Sequence, residues 1–149
     1  MSQQKKETWY SNERMNRALQ HMRVKAVEMG LRQGVAFICA HPFFVDMPRV
    51  AFVVVSTLER DPDPNRCGDD KGENYFGIAM SKLAFMLSTK TNSGSQSRLT
   101  KDGEVNYHGG LAFFFQNIAD EGGIYVGYSG GTEHQDMQIA RKGLSIMVE

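Results

Sequence analysis

The residues best able to do chemistry gather in the last third of the chain. Tyr107-His108-Gly109-Gly110 closes a long polar stretch, and Gly127-Tyr128-Ser129-Gly130-Gly131-Thr132-Glu133 leads from an apolar segment into a helical one. An imidazole such as His108 titrates near neutral pH, ligates metals and hydrogen-bonds ligands. Paired glycines let the backbone turn tightly and come close to a bound molecule. The second stretch ends at a helix start, where unpaired N–H groups and the helix dipole favour a carboxylate or phosphate. On this reading the amides of Gly130, Gly131, Thr132 and Glu133 hold an anionic group, and Ser129 and Thr132 add hydroxyls. His108, Gly109 and Gly110 face them, so the two diglycine corners converge on an electropositive recess. Phe113 to Phe115 supply its apolar wall. An ordinary strand-to-helix junction would carry the same glycines.

Other patterns carry less. Gly127-x-Ser129-x-Gly131 matches a hydrolase nucleophile elbow. Only 18 residues follow Gly131, however, and Asp136 comes after His134 rather than before it. Asp61-x-Asp63-x-Asn65 opens like a calcium loop, but Arg66 stands where the turn glycine belongs, so a solvated loop is expected. His41 and His134 read as structural and solvated. His21, beside the apolar stripe of the first helical segment, joins His108 as a candidate metal ligand. Acid–base chemistry would pair His108 with Asp102, Glu104 or Asp136, although no local spacing fixes a pair.

Composition bounds the setting. The 149 residues suit one domain. Lys and Arg total 17 against 17 Asp and Glu, so no bulk field recruits nucleic acid or an anionic membrane. No apolar run reaches the roughly 20 residues of a membrane span. Two cysteines, Cys39 and Cys67, are too few for a disulfide framework. A cytoplasmic protein with two free thiols is expected.

The elements that must position these residues follow from hydrophobic period. Residues 1–12 read as a polar tail, with Trp9 and Tyr10 pinning it. Met15, Ala18, Leu19, Met22, Ala26 and Met29 recur at helical spacing over 13–29, and Gly30 stops the helix. Val35–Ala40 and Val50–Val55 are short apolar runs that read as strands. The nine residues between them are too few for a parallel crossover, so the pair is antiparallel and adjacent. Apolar residues on both alternations of the second run suggest that both its faces are covered. Residues 59–73 contain no core material and read as an exposed loop. A second helix spans about 74–88, with Phe76, Ala79, Leu83, Met86 and Leu87 as its stripe. A long connection over 88–110 follows, and connections of that length are often functional. Strands at 111–116 and 124–129 precede a last helix, opened by the capping box Thr132-x-x-Gln135. The order implies one α+β domain over 13–149, an antiparallel sheet with helices packed on it.

Gly110-Leu111, then Gly123-Ile124-Tyr125-Val126-Gly127-Tyr128-Ser129-Gly130-Gly131-Thr132-x-x-Gln135-Asp136-x-x-Ile139-Ala140-x-x-Gly143, resembles the GlcG/HbpS-like family. This haem-binding or "haem-degrading" family includes the C-terminal domain of some cobalamin adenosyltransferases. Ile78-Ala79-x-x-Lys82-x-x-x-Met86 resembles the family's central helix, and the match spans about 13–144. It departs at 41–48, where the family often has an Asp-Gly-Gly turn. The resemblance implies a profilin-like domain, assembled as a dimer or larger homo-oligomer, that binds haem, another tetrapyrrole or another small molecule. His108 then becomes the candidate iron ligand, with His21 as second candidate. A small metabolic enzyme using His and carboxylate acid–base chemistry at the same pocket is the alternative expectation. A third is an oligomer without ligand, its junction closed.

Overall fold

A computed structural model describes residues 8–42, 47–95, 98–115 and 122–149. Helix α1 (Asn12–Glu28) starts where the Ser11 side chain accepts the Arg14 N–H, and it buries Met15, Ala18, Leu19, Met22 and Ala26. Strands β1 (Val35–Pro42) and β2 (Arg49–Val54) pair antiparallel, with Phe37 opposite Phe52. The two-residue strands β3 (Glu59–Arg60) and β4 (Glu73–Asn74) lead into α2 (Tyr75–Thr89). Strands β5 (Gly110–Phe114) and β6 (Gly122–Ser129) precede α3 (Glu133–Met147). The α3 capping box is formed in full by Thr132 and Gln135.

The main sheet has the order β2-β1-β6-β5, and every pairing within it is antiparallel. Alternation along the strands divides the side chains between two cores. Ala36, Ile38, Ala40, Ile124, Val126 and Tyr128 face α1 and α3. Val35, Phe37, Cys39 and Tyr125 face α2. The unbroken apolar run of β1 therefore reflects helices on both faces. The α+β layering expected from the sequence is the one observed. No helix among the described residues is long and apolar enough to cross a membrane.

One expectation is corrected. The covered strand is β1, not β2. As the outer strand of the sheet, β2 leaves Val50 and Phe52 45% and 48% exposed. Residues 59–73 are mostly exposed, as expected, and Arg60 orders them: it grips both carboxylate oxygens of Asp70 at 2.6 and 2.9 Å and also reaches Glu73 at 3.3 Å. Charge pairing does there what apolar residues do elsewhere. Trp9 pins the segment before α1, as expected, packing against Phe115 with ring centroids 4.8 Å apart. Gln116 and the turn at 120–121 lie outside the described residues.

The long connection to β5 is also built from polar contacts. Arg98 donates twice to Glu104, both at 3.0 Å, and lies over the Phe85 ring. Ser93 Oγ accepts the Gly110 N–H, and Asn92 Oδ1 accepts that of Ala112. These bonds fix the loop's exit, and with it His108.

Close packing at one glycine gives a test. Gly127 sits opposite Phe37, and a Cβ there would fall 2.3 Å from the Phe37 ring. Phe37 is fully buried and cannot swing into solvent. Gly127→Ala is therefore expected to destabilise the fold by about 1–3 kcal/mol through overpacking. Urea unfolding should show a lower midpoint at unchanged slope, and a midpoint equal to wild type would contradict this packing.

Candidate functional site

The site is assembled where β6 ends. Ser129 is the last residue of β6, Gly130 and Gly131 turn the chain, and Thr132 caps α3. Gly109 docks from the side, its carbonyl accepting the Tyr128 N–H at 3.0 Å. The diglycine corners do converge, but what lies between them is a buried ion pair. Lys82, from α2 on one face of the sheet, reaches round the end of β6 to Asp136, from α3 on the other face. Its Nζ donates to Asp136 Oδ2 at 3.1 Å and to the Tyr128 carbonyl at 2.8 Å. The other carboxylate oxygen of Asp136 accepts the Gly131 N–H at 2.9 Å.

Gly109 makes this arrangement possible. Its φ of +115° lies in the region L side chains avoid, and a Cβ would sit 2.6 Å from Asp136 Cβ and 2.9 Å from Lys82 Nζ. Gly110 is equally confined, by Met86 and Ser93.

Above the pair opens a cleft of about 470 Å3. Six of the eight residues expected to bind a ligand line it: His108, Ser129, Gly130, Gly131, Thr132 and Glu133. Gly109 and Gly110 are buried beneath it instead. Lys82, Asp136, Tyr75, Ile78, Leu31 and Arg66 complete the essential lining. The His108 imidazole rests on Gly94, where a Cβ would fall 2.5 Å from Nδ1.

The electrostatics differ from an open nest of amides. The Gly131 N–H is taken by Asp136 and the Thr132 N–H by Gln135 Oε1 at 2.9 Å. Two of the amides counted on for an anion are therefore spent inside the protein. Burial pushes the Asp136 carboxyl up to about 6, against the attraction of Lys82 and the Gly131 N–H. Burial likewise pushes the Lys82 ammonium down, against the attraction of Asp136.

Other expected residues fall elsewhere. Phe113 and Phe115 pack toward the α1 and α3 core, and Phe114 packs against Tyr125, so none forms the cleft wall. Leu31 and Ile78 take that role. His21 is exposed on α1 and does not line the cleft. Asp102 is exposed in a turn, and Glu104 is held by Arg98. Of the carboxylates proposed as partners for His108, only Asp136 shares its cleft. Lys82 and Tyr75 were missed as site residues. Among the described residues, no group of three His, Cys, Asp or Glu side chains is placed to hold a metal ion.

No protein-family model matches the sequence. No curated protein matches it either. Solved structures do. PduOC, determined as a complex with haem, matches with a TM-score of 0.60 at 16% identity, covering 91% of this chain and 93% of that one. HbpS matches with a TM-score of 0.53 at 15% identity over 98% and 93%. A double mutant of Streptomyces reticuli HbpS gives 0.50 at 14% over 98% and 90%. The chain has the GlcG/HbpS-like fold, as the motif at 123–143 implied.

The raised carboxyl sets a pH dependence. Between about pH 4 and pH 6 the folded protein holds a proton on Asp136 that an unfolded aspartate has released. Folding takes up a proton across that window, so this residue's contribution to stability falls as pH rises through it. The Asp136 side-chain carbon, followed by NMR, should titrate near pH 6. A midpoint at or below about 4 would contradict the buried placement.

Proposed function

We propose that this chain is a small-molecule-binding domain of the GlcG/HbpS-like family, with its ligand seated in the cleft between His108 and the start of α3. The observation that carries this reading is the cleft itself, into which the fold brings residues from 107–108, 129–136 and α2 over a buried ion pair. Haem or a related tetrapyrrole is the ligand we infer, on the likeness to PduOC and HbpS. The residues suit such a group in part. The His108 imidazole makes no hydrogen bond to the described residues, and Arg66 suits a carboxylate side group, whereas the Gly131 and Thr132 amides are already bonded. Leu31 and Ile78 offer apolar contact. Haem, when bound, supplies redox-active iron; the chain supplies the ligand, the charge and the walls.

The reading includes a homo-oligomer. The half-exposed Val50 and Phe52 on the edge strand β2 favour a second copy there, since an exposed apolar patch beside a sheet edge invites association. It also includes a cytoplasmic setting, in keeping with unpaired Cys39 and Cys67, and no nucleic-acid or membrane partner, in keeping with the balanced charge.

One observation favours a second reading, a small acid–base enzyme. His108 and Asp136 line the same cleft, and burial raises the Asp136 carboxyl to about 6, close to the pH at which it would exchange protons.

A haem titration tests the first reading. Wild type should show a saturable Soret shift that His108→Ala loses and His21→Ala keeps. Native mass spectrometry of the same sample should report the tetrapyrrole and the assembly mass together. No shift in wild type removes haem, and a monomer mass removes the oligomer.

A further inference from the structure

Lys82, Tyr75 and Arg66 hold capacity that the fold does not use. Tyr75, Ile78 and Lys82 stand three and four residues apart on α2 and line the cleft as one stripe. The Tyr75 hydroxyl is buried, in a residue only 3% exposed, and makes no hydrogen bond within 3.5 Å among the described residues, although the Glu73 and Arg60 side chains lie near it. An ammonium has three N–H donors, and Lys82 Nζ directs two of them to Tyr128 and Asp136. The third has no acceptor among the described residues. At the rim, the Arg66 guanidinium makes no ion pair among the described residues. A purely structural role explains the bond from Lys82 to Asp136. It leaves the third Lys82 N–H without an acceptor and the Tyr75 hydroxyl without a close one among the described residues.

We propose that Lys82 forms an imine with an oxo acid, an aldehyde or ketone bearing a carboxylate, that enters this cleft. The proposal rests on the cleft being the ligand site. It does not require haem. Lys82 supplies the nucleophile, while Tyr75 and Arg66 meet the carboxylate. Burial disfavours both charges of the pair, so proton transfer from the ammonium to Asp136 yields a neutral amine beside a carboxylic acid.

The step balances without a further reactant. The amine lone pair forms a bond to the carbonyl carbon, and the C=O π electrons move to oxygen. That oxygen takes the proton the nitrogen sheds, giving a neutral carbinolamine. Asp136 then returns its proton to the hydroxyl, the C–O bond breaks, and water leaves. The nitrogen lone pair closes the C=N bond of a protonated imine. The sum is ammonium plus carbonyl going to iminium plus water.

Reductive trapping tests this on the intact chain. Pyruvate and succinic semialdehyde are each incubated with the protein and cyanoborohydride, and modified lysines are located by peptide mass spectrometry. Lys82 should be modified at least about tenfold faster than the exposed Lys101 and Lys142, because its burial disfavours the ammonium and releases the nucleophilic amine. Asp136→Asn should slow trapping at Lys82, and Lys82→Arg should abolish it with the circular dichroism spectrum unchanged. Amide NMR with the same two compounds separates the possible failures. Shifts at Gly130, Gly131 and Glu133 without trapping at Lys82 would overturn imine formation and leave the cleft a binding site. Neither shifts nor trapping would overturn the proposal and count against an oxo-acid site altogether. Modification confined to Lys101, Lys142 and other surface lysines would overturn it as well.

Discussion

A lysine and an aspartate, both buried, meet round the end of a β-strand, and much of the molecule is arranged to let them. Removing two charges from water is costly, and their attraction offsets that cost only when the remaining donors and acceptors are also bonded. Here the Tyr128 carbonyl takes one Lys82 N–H and the Gly131 amide serves the second Asp136 oxygen. Gly109 is without a side chain because one would strike both partners. The contact joins α2, on one face of the sheet, to α3, on the other. Apolar packing cannot make that link, since the sheet stands between the two cores. The cleft has its floor because this link exists.

Much of the scaffold was legible from local pattern. The β1 run, the adjacent antiparallel pair, the Thr132 capping box and the diglycine corners all follow from period and turn chemistry. The ion pair did not, because its members lie 54 residues apart and no spacing rule joins them. Lys82 falls one position before Leu83 of the helical stripe, where a lysine reads as solvated. Resemblance to a known family's central helix marked the position without stating what it does. Phe113 to Phe115 failed as a wall for a reason the sequence does hold: strand alternation sends Phe114 to one core and its neighbours to the other. An apolar strand reads as covered, whereas β2 is an edge strand whose Val50 and Phe52 stay about half exposed. The order in 59–73 and 88–110 rests on Arg60 and Arg98 with their carboxylates, and hydrophobic period is blind to such pairs.

Fold and chemistry point in directions that need not coincide. The proposed haem reading turns on His108 and calls for a flat, apolar surface. The cleft itself is rich in charged and hydroxyl groups, with Leu31 and Ile78 its modest aliphatic surface. Such a lining recognises a small polar molecule by hydrogen bonds. Either proposed ligand class would rest on the same floor, so both readings depend on the Lys82–Asp136 contact.

A double-mutant cycle measures that contact most directly. Urea unfolding of wild type, Lys82→Met, Asp136→Leu and the double variant gives the coupling energy between the two side chains. A buried, mutually dependent pair predicts a loss of about 3–5 kcal/mol for each single change, since each strands the other charge. The double change should then lose less than the sum, by about 2 kcal/mol or more. Losses that simply add would mean the two groups do not sense each other, and the floor of the cleft would not be the ion pair described.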